Sequence, residues 1–345
     1  MSTVAAYAYL NARVSVFASR LLSPQQLQNL LQPSVGQKYT GIETLDNLLS
    51  DDKVSLSLVE QSLFLHLLHD VKALLRPLKG GEKELLLYWM RKCEVTNIKT
   101  IVRGKLSHTN TDTVSERLIE LGDLSILPTE KLLRTEDINE LLRTLENSHY
   151  GHIARQARRI YEQKHHLHAI DAAIDKQFLT GLHQHINALP AAQHKQVRPL
   201  ATILFDRFNL LWLLRYRFAY HLSPAETFYL LVSTPYSLSR EYLLKLVEFN
   251  SLHELLPQLP RPLYTLLANV KDIFEVEYAL NMSLQQIAYQ TLKFQSFSVA
   301  KAFAYLLLRE FEMRQILAII KGRRLGLKTD LILRAAHTDA FVLMI

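Results

Sequence analysis

The sequence predicts an all-α protein made of three similar helical domains of about 110 residues each. Three observations lead there. The 345 residues include 67 leucines but only 10 glycines. Leucine is a good helix former and glycine a poor one, so the composition disfavours folds that need many tight turns, such as Rossmann domains and β-sandwiches. Hydrophobic residues make up 48% and charged residues 21% of the chain, a globular balance rather than a disordered one. The length exceeds one ordinary core and suits two or three domains of ~100–150 residues. Finally, one polar pattern recurs three times at intervals of roughly 110 residues, and it orders the chain.

Residues 93–105 read CEVTNIKTIVRGK, residues 205–217 read FDRFNLLWLLRYR, and residues 311–323 read FEMRQILAIIKGR. All three follow the same order: acid, two variable positions, amide, an apolar stretch, then two bases one residue apart. The acids are Glu94, Asp206 and Glu312, and the amides are Asn97, Asn209 and Gln315. The bases are Arg103 and Lys105, Arg215 and Arg217, and Lys321 and Arg323. A leucine-rich chain supplies apolar matches cheaply, so the weight rests on the polar positions. A second landmark agrees: Glu60, Asp171 and Glu277 stand 34 or 35 residues before their acids, and each opens a helical pattern. A third places a proline near a helix start, at Leu22-Ser23-Pro24, Leu127-Pro128 and Thr234-Pro235. The reading is three domains, residues 1–115, 116–228 and 229–345. Each has a helix of about twenty residues, a connector, and a second helix that ends in a basic pair.

Helix geometry gives the motif a physical sense. At about 100° per residue, Glu94, Asn97, Ile98 and Ile101 share one face, and that face is apolar. A carboxylate there requires a partner, because an unpaired buried charge is costly. Glu94, Asp206 and Glu312 are therefore expected to be largely buried, each paired with a basic or amide group, as a polar lock between helices. The bases at the helix ends suit the negative end of the helix dipole. The same bases, with Arg324, are also candidates for contact with an acidic partner or anionic headgroups.

Elsewhere the chain reads as structure rather than chemistry. Tyr7, Tyr9 and Phe17, like Trp89 and Trp212, read as core, and Gly80-Gly81 reads as a turn. There is no GxGxxG, GxxxxGK[ST], GxSxG or HExxH. Cys93 is the sole cysteine. That excludes an intramolecular disulfide and an all-cysteine zinc site, and it fits a reducing compartment. His165, His166, His168, His183 and His185 cluster near Asp171 and Asp175, and His168, Asp171 and Asp175 share a helix face. Without three or four convergent ligands, that face reads as solvated. No catalytic, metal, cofactor or small-molecule site is expected.

The net charge of +7, from 40 bases and 33 acids, is scattered. Its short clusters, Arg155-Arg158-Arg159 and Lys321-Arg323-Arg324, lack the stripe of a nucleic-acid binder. No window of ~18 apolar residues occurs; Leu210 to Leu222 is interrupted by Arg215, Arg217 and His221. The N-terminus lacks a basic signal region, so a soluble cytoplasmic chain is expected.

The endings NIKTIVRGK (97–105) and ILAIIKGRRLGL (316–327), with the opening YAYLNARVSVFASRLLSP (7–24), resemble the C/d subunit of V-type and A-type rotary ATPases over essentially the whole chain. The resemblance implies an all-α funnel of three domains, present once per complex on the cytoplasmic face of the membrane proteolipid ring. Its cavity would receive the central shaft, with its D and F type subunits. It would do no chemistry itself and would couple ATP hydrolysis or synthesis to proton or sodium-ion transport as a central-stalk socket. The chain departs from the pattern at Tyr216, where the outer copies have Gly104 and Gly322. The histidine- and alanine-rich stretch Leu167–Val197 reads as an extended loop without a family role. The alternative is a helical-repeat scaffold for another assembly, although such repeats usually run to ~20–50 residues.

Overall fold

Leucine-rich segments at helical spacing form helices from Thr3 to Ala336 in the computed structural model, which describes residues 3–32, 39–40, 42–51, 53–164 and 167–336. The chain is 76% helical, and no strand occurs among the described residues. His165, His166 and the side chain of His168 lie outside this description.

The long helices are numbered here in chain order: α1 (Thr3–Ala18), α2 (Leu56–Leu75), α3 (Gly80–Leu106), α4 (Leu167–Asn187), α5 (Ala191–Leu214), α6 (Ile273–Phe294) and α7 (Val299–Arg324). They form three consecutive pairs, α2–α3, α4–α5 and α6–α7, with Glu60, Asp171 and Glu277 near the start of the first helix of each. The second helix of each pair carries the repeated motif. Short helices occupy the connectors between the pairs, and their caps are readable in the sequence. Ser23 and Ser223 each close a capping box, with Gln26 and Glu226 and with proline at the first helical position. Asp137 and Asp272 accept the amides of Glu140 and Glu275 at the starts of Ile138–Glu146 and α6.

Packing links the pairs in a cycle. Helix α3 packs on α4, α5 on α6, and α7 returns to pack on α2, with α1 against both α7 and α2. One continuous hydrophobic core runs through all three pairs. Helix α7 lies deepest, buried along most of its length from Val299 to Gly322. The described side chains of the aromatic stripe divide: Phe17, Trp89 and Trp212 are buried, whereas Tyr7 and Tyr9 are half-buried.

Two local readings change. The stretch Leu167–Val197 is not a loop: α4 and the start of α5 cover nearly all of it. Its alanines are the reason, since alanine is the best helix former. Ile170, Ala173, Ile174 and Phe178 then fall on one buried face. The turn at Gly80-Gly81 is confined to Gly80, whose φ of +55° favours glycine; α3 begins there.

The departure at Tyr216 has a structural counterpart. A Cβ on Gly104 would lie 2.5 Å from Val114 Cγ2, and one on Gly322 would lie 2.6 Å from Ile332 Cγ1. These glycines let the short helices Thr111–Ser115 and Thr329–Ala336 press against the ends of α3 and α7. In the middle copy Tyr216 is buried, and the helix widens into a π turn over Arg215–Ala219.

Candidate functional site

The three acids sit within α3, α5 and α7, with exposures of 0% for Glu94, 1% for Asp206 and 4% for Glu312. Their shared partners are backbone amides rather than bases. Glu94 Oε1 accepts from the amides of Ile126 (2.6 Å) and Leu127 (2.7 Å) and from the Ser125 hydroxyl (2.7 Å). Asp206 Oδ1 accepts the Leu238 amide at 2.9 Å. Glu312 Oε1 accepts the Leu22 amide at 2.5 Å. Each acid thus holds the connector that leads to the next pair, and the third reaches back to the connector before the first. Buried amides in irregular segments need an acceptor, and a carboxylate makes the stronger, charge-assisted kind of bond.

The remaining partners differ among the copies. Glu94 also pairs with Arg91 at 2.8 Å and accepts the Tyr150 hydroxyl. Glu312 pairs with Arg309. Ile203 occupies the corresponding place before Asp206, and no base pairs with Asp206 among the salt bridges of the described residues. Electrostatics follow the partners. Burial works to raise the Glu94 carboxyl, but hydrogen bonds from Tyr150, Ser125 and the 126–127 backbone outweigh it and hold the pKa below the ordinary carboxylate value. Burial prevails at Asp206, where the Leu238 and Ser237 hydrogen bonds offset it only in part, and the pKa rises. Burial prevails at Glu312 too, against the opposing charge of Arg309.

The amides form a second device. Asn97 donates to Ile119 O and accepts from Ile119 N, both at 2.8 Å. Asn209 treats Val232 in the same way, both at 2.9 Å. Each side chain thereby satisfies both backbone groups of one connector residue. Gln315, 6% exposed, occupies the third such place.

The bases divide by position in their pairs. The second base of each pair turns inward to carbonyls of the following connector. Lys105 donates to Leu133 O at 2.8 Å and to Thr135 O, Arg217 to Val247 O at 2.7 Å, and Arg323 to Leu30 O at 2.6 Å. Arg323 and Leu30 repeat the return to the start of the chain made by Glu312. The first bases, Arg103, Arg215 and Lys321, are all exposed, and Arg103 pairs with Asp171. Arg324 is half-buried.

Further polar contacts join neighbouring pairs: Lys99 to Asp175, Arg207 to Asn281, Lys92 to Glu310 and Tyr305 to Asp70. Asp171 and Asp175 are therefore engaged by bases, and no cluster of potential metal ligands occurs among the described residues. His183 lies against Phe205 and Tyr236, and His185 against Tyr88. Cys93 is fully buried, which pushes its thiol up to about 12 and leaves it unreactive. No described helix is long and apolar enough to cross a membrane.

Sequence reasoning located the acids and expected a basic or amide partner for each, which Arg91 and Arg309 supply for Glu94 and Glu312, but it did not name those residues. Arg91 and Arg309 were findable, since each lies three residues before an acid on a helix, where side chains meet. Ser125, Tyr150 and Leu238 carry no helical signal, and although Leu22 and Leu127 stand in the proline landmark of the repeat, nothing in it marks their amides as partners of the acids.

Comparison with known proteins agrees over nearly the whole chain. The family described as ATP synthase (C/AC39) subunit matches residues 10–335. The C subunit of the A-type ATP synthase of Methanocaldococcus jannaschii is 24% identical, covering 95% of this chain and 85% of the relative. Its counterparts in Halobacterium salinarum (25%; 94% and 95%) and Halorubrum lacusprofundi (26%; 93% and 94%) are similar throughout. With the matched region spanning all three helix pairs and their connectors, the chain belongs to the ATP synthase (C/AC39) subunit family.

Proposed function

We propose that this chain is the non-catalytic central-stalk socket of a V/A-type rotary ATPase, joining the central shaft to the membrane proteolipid ring. It would act at the cytoplasmic face, one copy per complex, with the D and F type shaft subunits seated in it. The three helix pairs are then its sectors, read at residues 1–115, 116–228 and 229–345. The second joint is better drawn just past Leu230, because residue 228 falls inside the helix Pro224–Leu230.

The observation that carries this reading is cyclic closure by buried charge-assisted bonds, Glu94 to Leu127, Asp206 to Leu238 and Glu312 to Leu22. A part that transmits torque must not shear between its sectors, and these contacts tie each sector to the next. The exposed Arg215 is the motif base best placed to meet a partner or anionic headgroups.

The test is to measure ATP hydrolysis and ATP-driven ion uptake together in membranes from a strain lacking this chain. Hydrolysis by the detached head should persist while ion uptake is lost. Normal ion uptake without the chain would overturn the socket reading in favour of a scaffold for another assembly.

A further inference from the structure

Each helix pair turns back on itself at a short loop, residues 76–79, 188–190 and 295–298, and the three loops lie together at one end of the molecule. Gly81, beside the first loop, comes so near the second that a Cβ on it would lie 3.4 Å from Ala188 O. Gln193, beside the second loop, accepts the Val299 amide at 2.9 Å and donates to Phe297 O at 3.4 Å, both at the third. Tyr7 donates to Glu82 at 2.8 Å and brings the start of α1 to the same end.

The third loop departs from the other two. Leu78, Leu189 and Phe297 stand 16, 17 and 15 residues before the acids of their motifs. The two leucines are buried, whereas Phe297 is 51% exposed, and Phe294 at the end of α6 is 72% exposed. Phe297 also holds a φ of +53°, a conformation that suits glycine and disfavours a bulky side chain. Neither burial nor backbone preference accounts for a phenylalanine there. Val4, one turn before Tyr7 on α1, is exposed as well.

The charge of this end has one prevailing sign. Arg76, Lys79, Lys195 and Lys293 stand exposed at or beside the loops, and none of them forms an ion pair among the described residues. Lys83 adds a half-buried base, and the acids here are Glu82, which Tyr7 engages, and Glu84. The first connector, residues 107–137, has the reverse balance, with Arg117, Lys131 and Arg134 among seven acids.

We propose that the loop end docks on an anionic lipid surface, with Phe294, Phe297 and Val4 entering the headgroup region and the bases meeting lipid phosphates. Exposed aromatic residues beside unpaired bases are the combination that such a surface retains. A fluid bilayer requires no matching groove, only apolar side chains free to enter it and charge of the right sign. The motif bases stand at the opposite ends of α3, α5 and α7, which leaves Arg215 to meet a protein partner. The lipid contact belongs to the chain alone and goes beyond the socket reading.

Flotation of the purified full chain with phosphatidylcholine vesicles, with and without about one third phosphatidylglycerol, tests this. Binding should be at least about tenfold tighter to the anionic vesicles and should weaken as salt is raised. Phe294→Ser together with Phe297→Ser should weaken it at least about tenfold in a chain that keeps its helical circular dichroism. Phe297→Gly separates this role from a structural one. It relieves the left-handed backbone, so the melting temperature should hold or rise while binding falls. Arg215→Ala, at the opposite end, should bind as the wild type does. Equal binding to both kinds of vesicle, full binding by the double serine variant, or an equal loss in Arg215→Ala would overturn the inference. So would a loss of binding confined to variants that melt earlier. No binding by the wild-type chain would overturn it too and leave a protein surface as the occupant of this end. The socket reading is untouched by these outcomes, since the strain lacking the chain tests it separately.

Discussion

The first and second junctions occupy the same place in the repeat and hold their connectors with very different sets of partners. Glu94 collects two amides, two hydroxyls and a guanidinium, whereas Asp206 relies on the 237–238 segment and pairs with no base among the described residues. Glu312 stands between, with an amide and Arg309. The contrast teaches that the common function of the motif is to cap the next connector, and that the base is an addition present in two copies of three. A carboxylate on an apolar helix face is thus explained by what it does for the backbone of another segment.

The largest effect that would break this comparison is at Glu94. Glu94→Ala takes the carboxylate partner from Arg91 and leaves several buried donors without an acceptor, so chemical denaturation should show a loss of about 3–5 kcal/mol. Asp206→Ala should cost about 1–3 kcal/mol, the range for leaving a buried amide without an acceptor. Equal losses would mean that the extra partners of Glu94 contribute nothing.

Next come the helix ends. Gly104→Ala and Gly322→Ala place a methyl group against the branched carbons of Val114 and Ile332, and overpacking of this kind costs about 1–3 kcal/mol. Shortening the neighbour should sharpen the result: Val114→Ala should recover part of the loss in Gly104→Ala but not in Gly322→Ala. If both variants melt like the wild type, close packing is not why the outer copies carry glycine.

The pH dependence separates the junctions by sign. The depressed pKa of Glu94 gives a contribution present above the ordinary carboxylate range and lost as pH falls through the folded value. The raised pKa of Asp206 acts in the opposite sense: its contribution is present below the ordinary range and lost as pH rises through the folded value. In melting curves from acidic to neutral pH, Glu94→Gln should reduce the rise in stability with pH. Asp206→Asn should steepen that rise. The same direction of change in both would contradict the assignment.

The smallest effect concerns the bases. Arg215→Ala should shift stability by no more than about 0.5 kcal/mol, as for an exposed side chain. Arg217→Ala should cost more, because it frees the carbonyls of Val247 and Leu222.

The helix pairs and the acids were legible in the sequence because both follow the 3.6-residue period. Glu94, Asp206 and Glu312 stood out as charges on an apolar stripe, and Glu60, Asp171 and Glu277 marked the preceding helices. The destination of each acid was not legible. Leu127 lies 33 residues from Glu94, and Leu22 lies 290 from Glu312, separations that no helical period encodes, and a backbone amide looks alike in every residue. The stretch from Leu167 was misread for the opposite reason, since its histidines drew attention while its alanines specified the helix.

Native-state hydrogen exchange at the amides of Leu22, Leu127 and Leu238 tests cyclic closure most directly. All three lie in non-helical connector segments and would exchange quickly without their carboxylates. Closure predicts protection comparable to that of the α3, α5 and α7 helix amides, with Leu127 the slowest of the three. If Leu22 exchanges as fast as an open loop while Leu127 and Leu238 are protected, the third junction does not close and the sectors form an open chain.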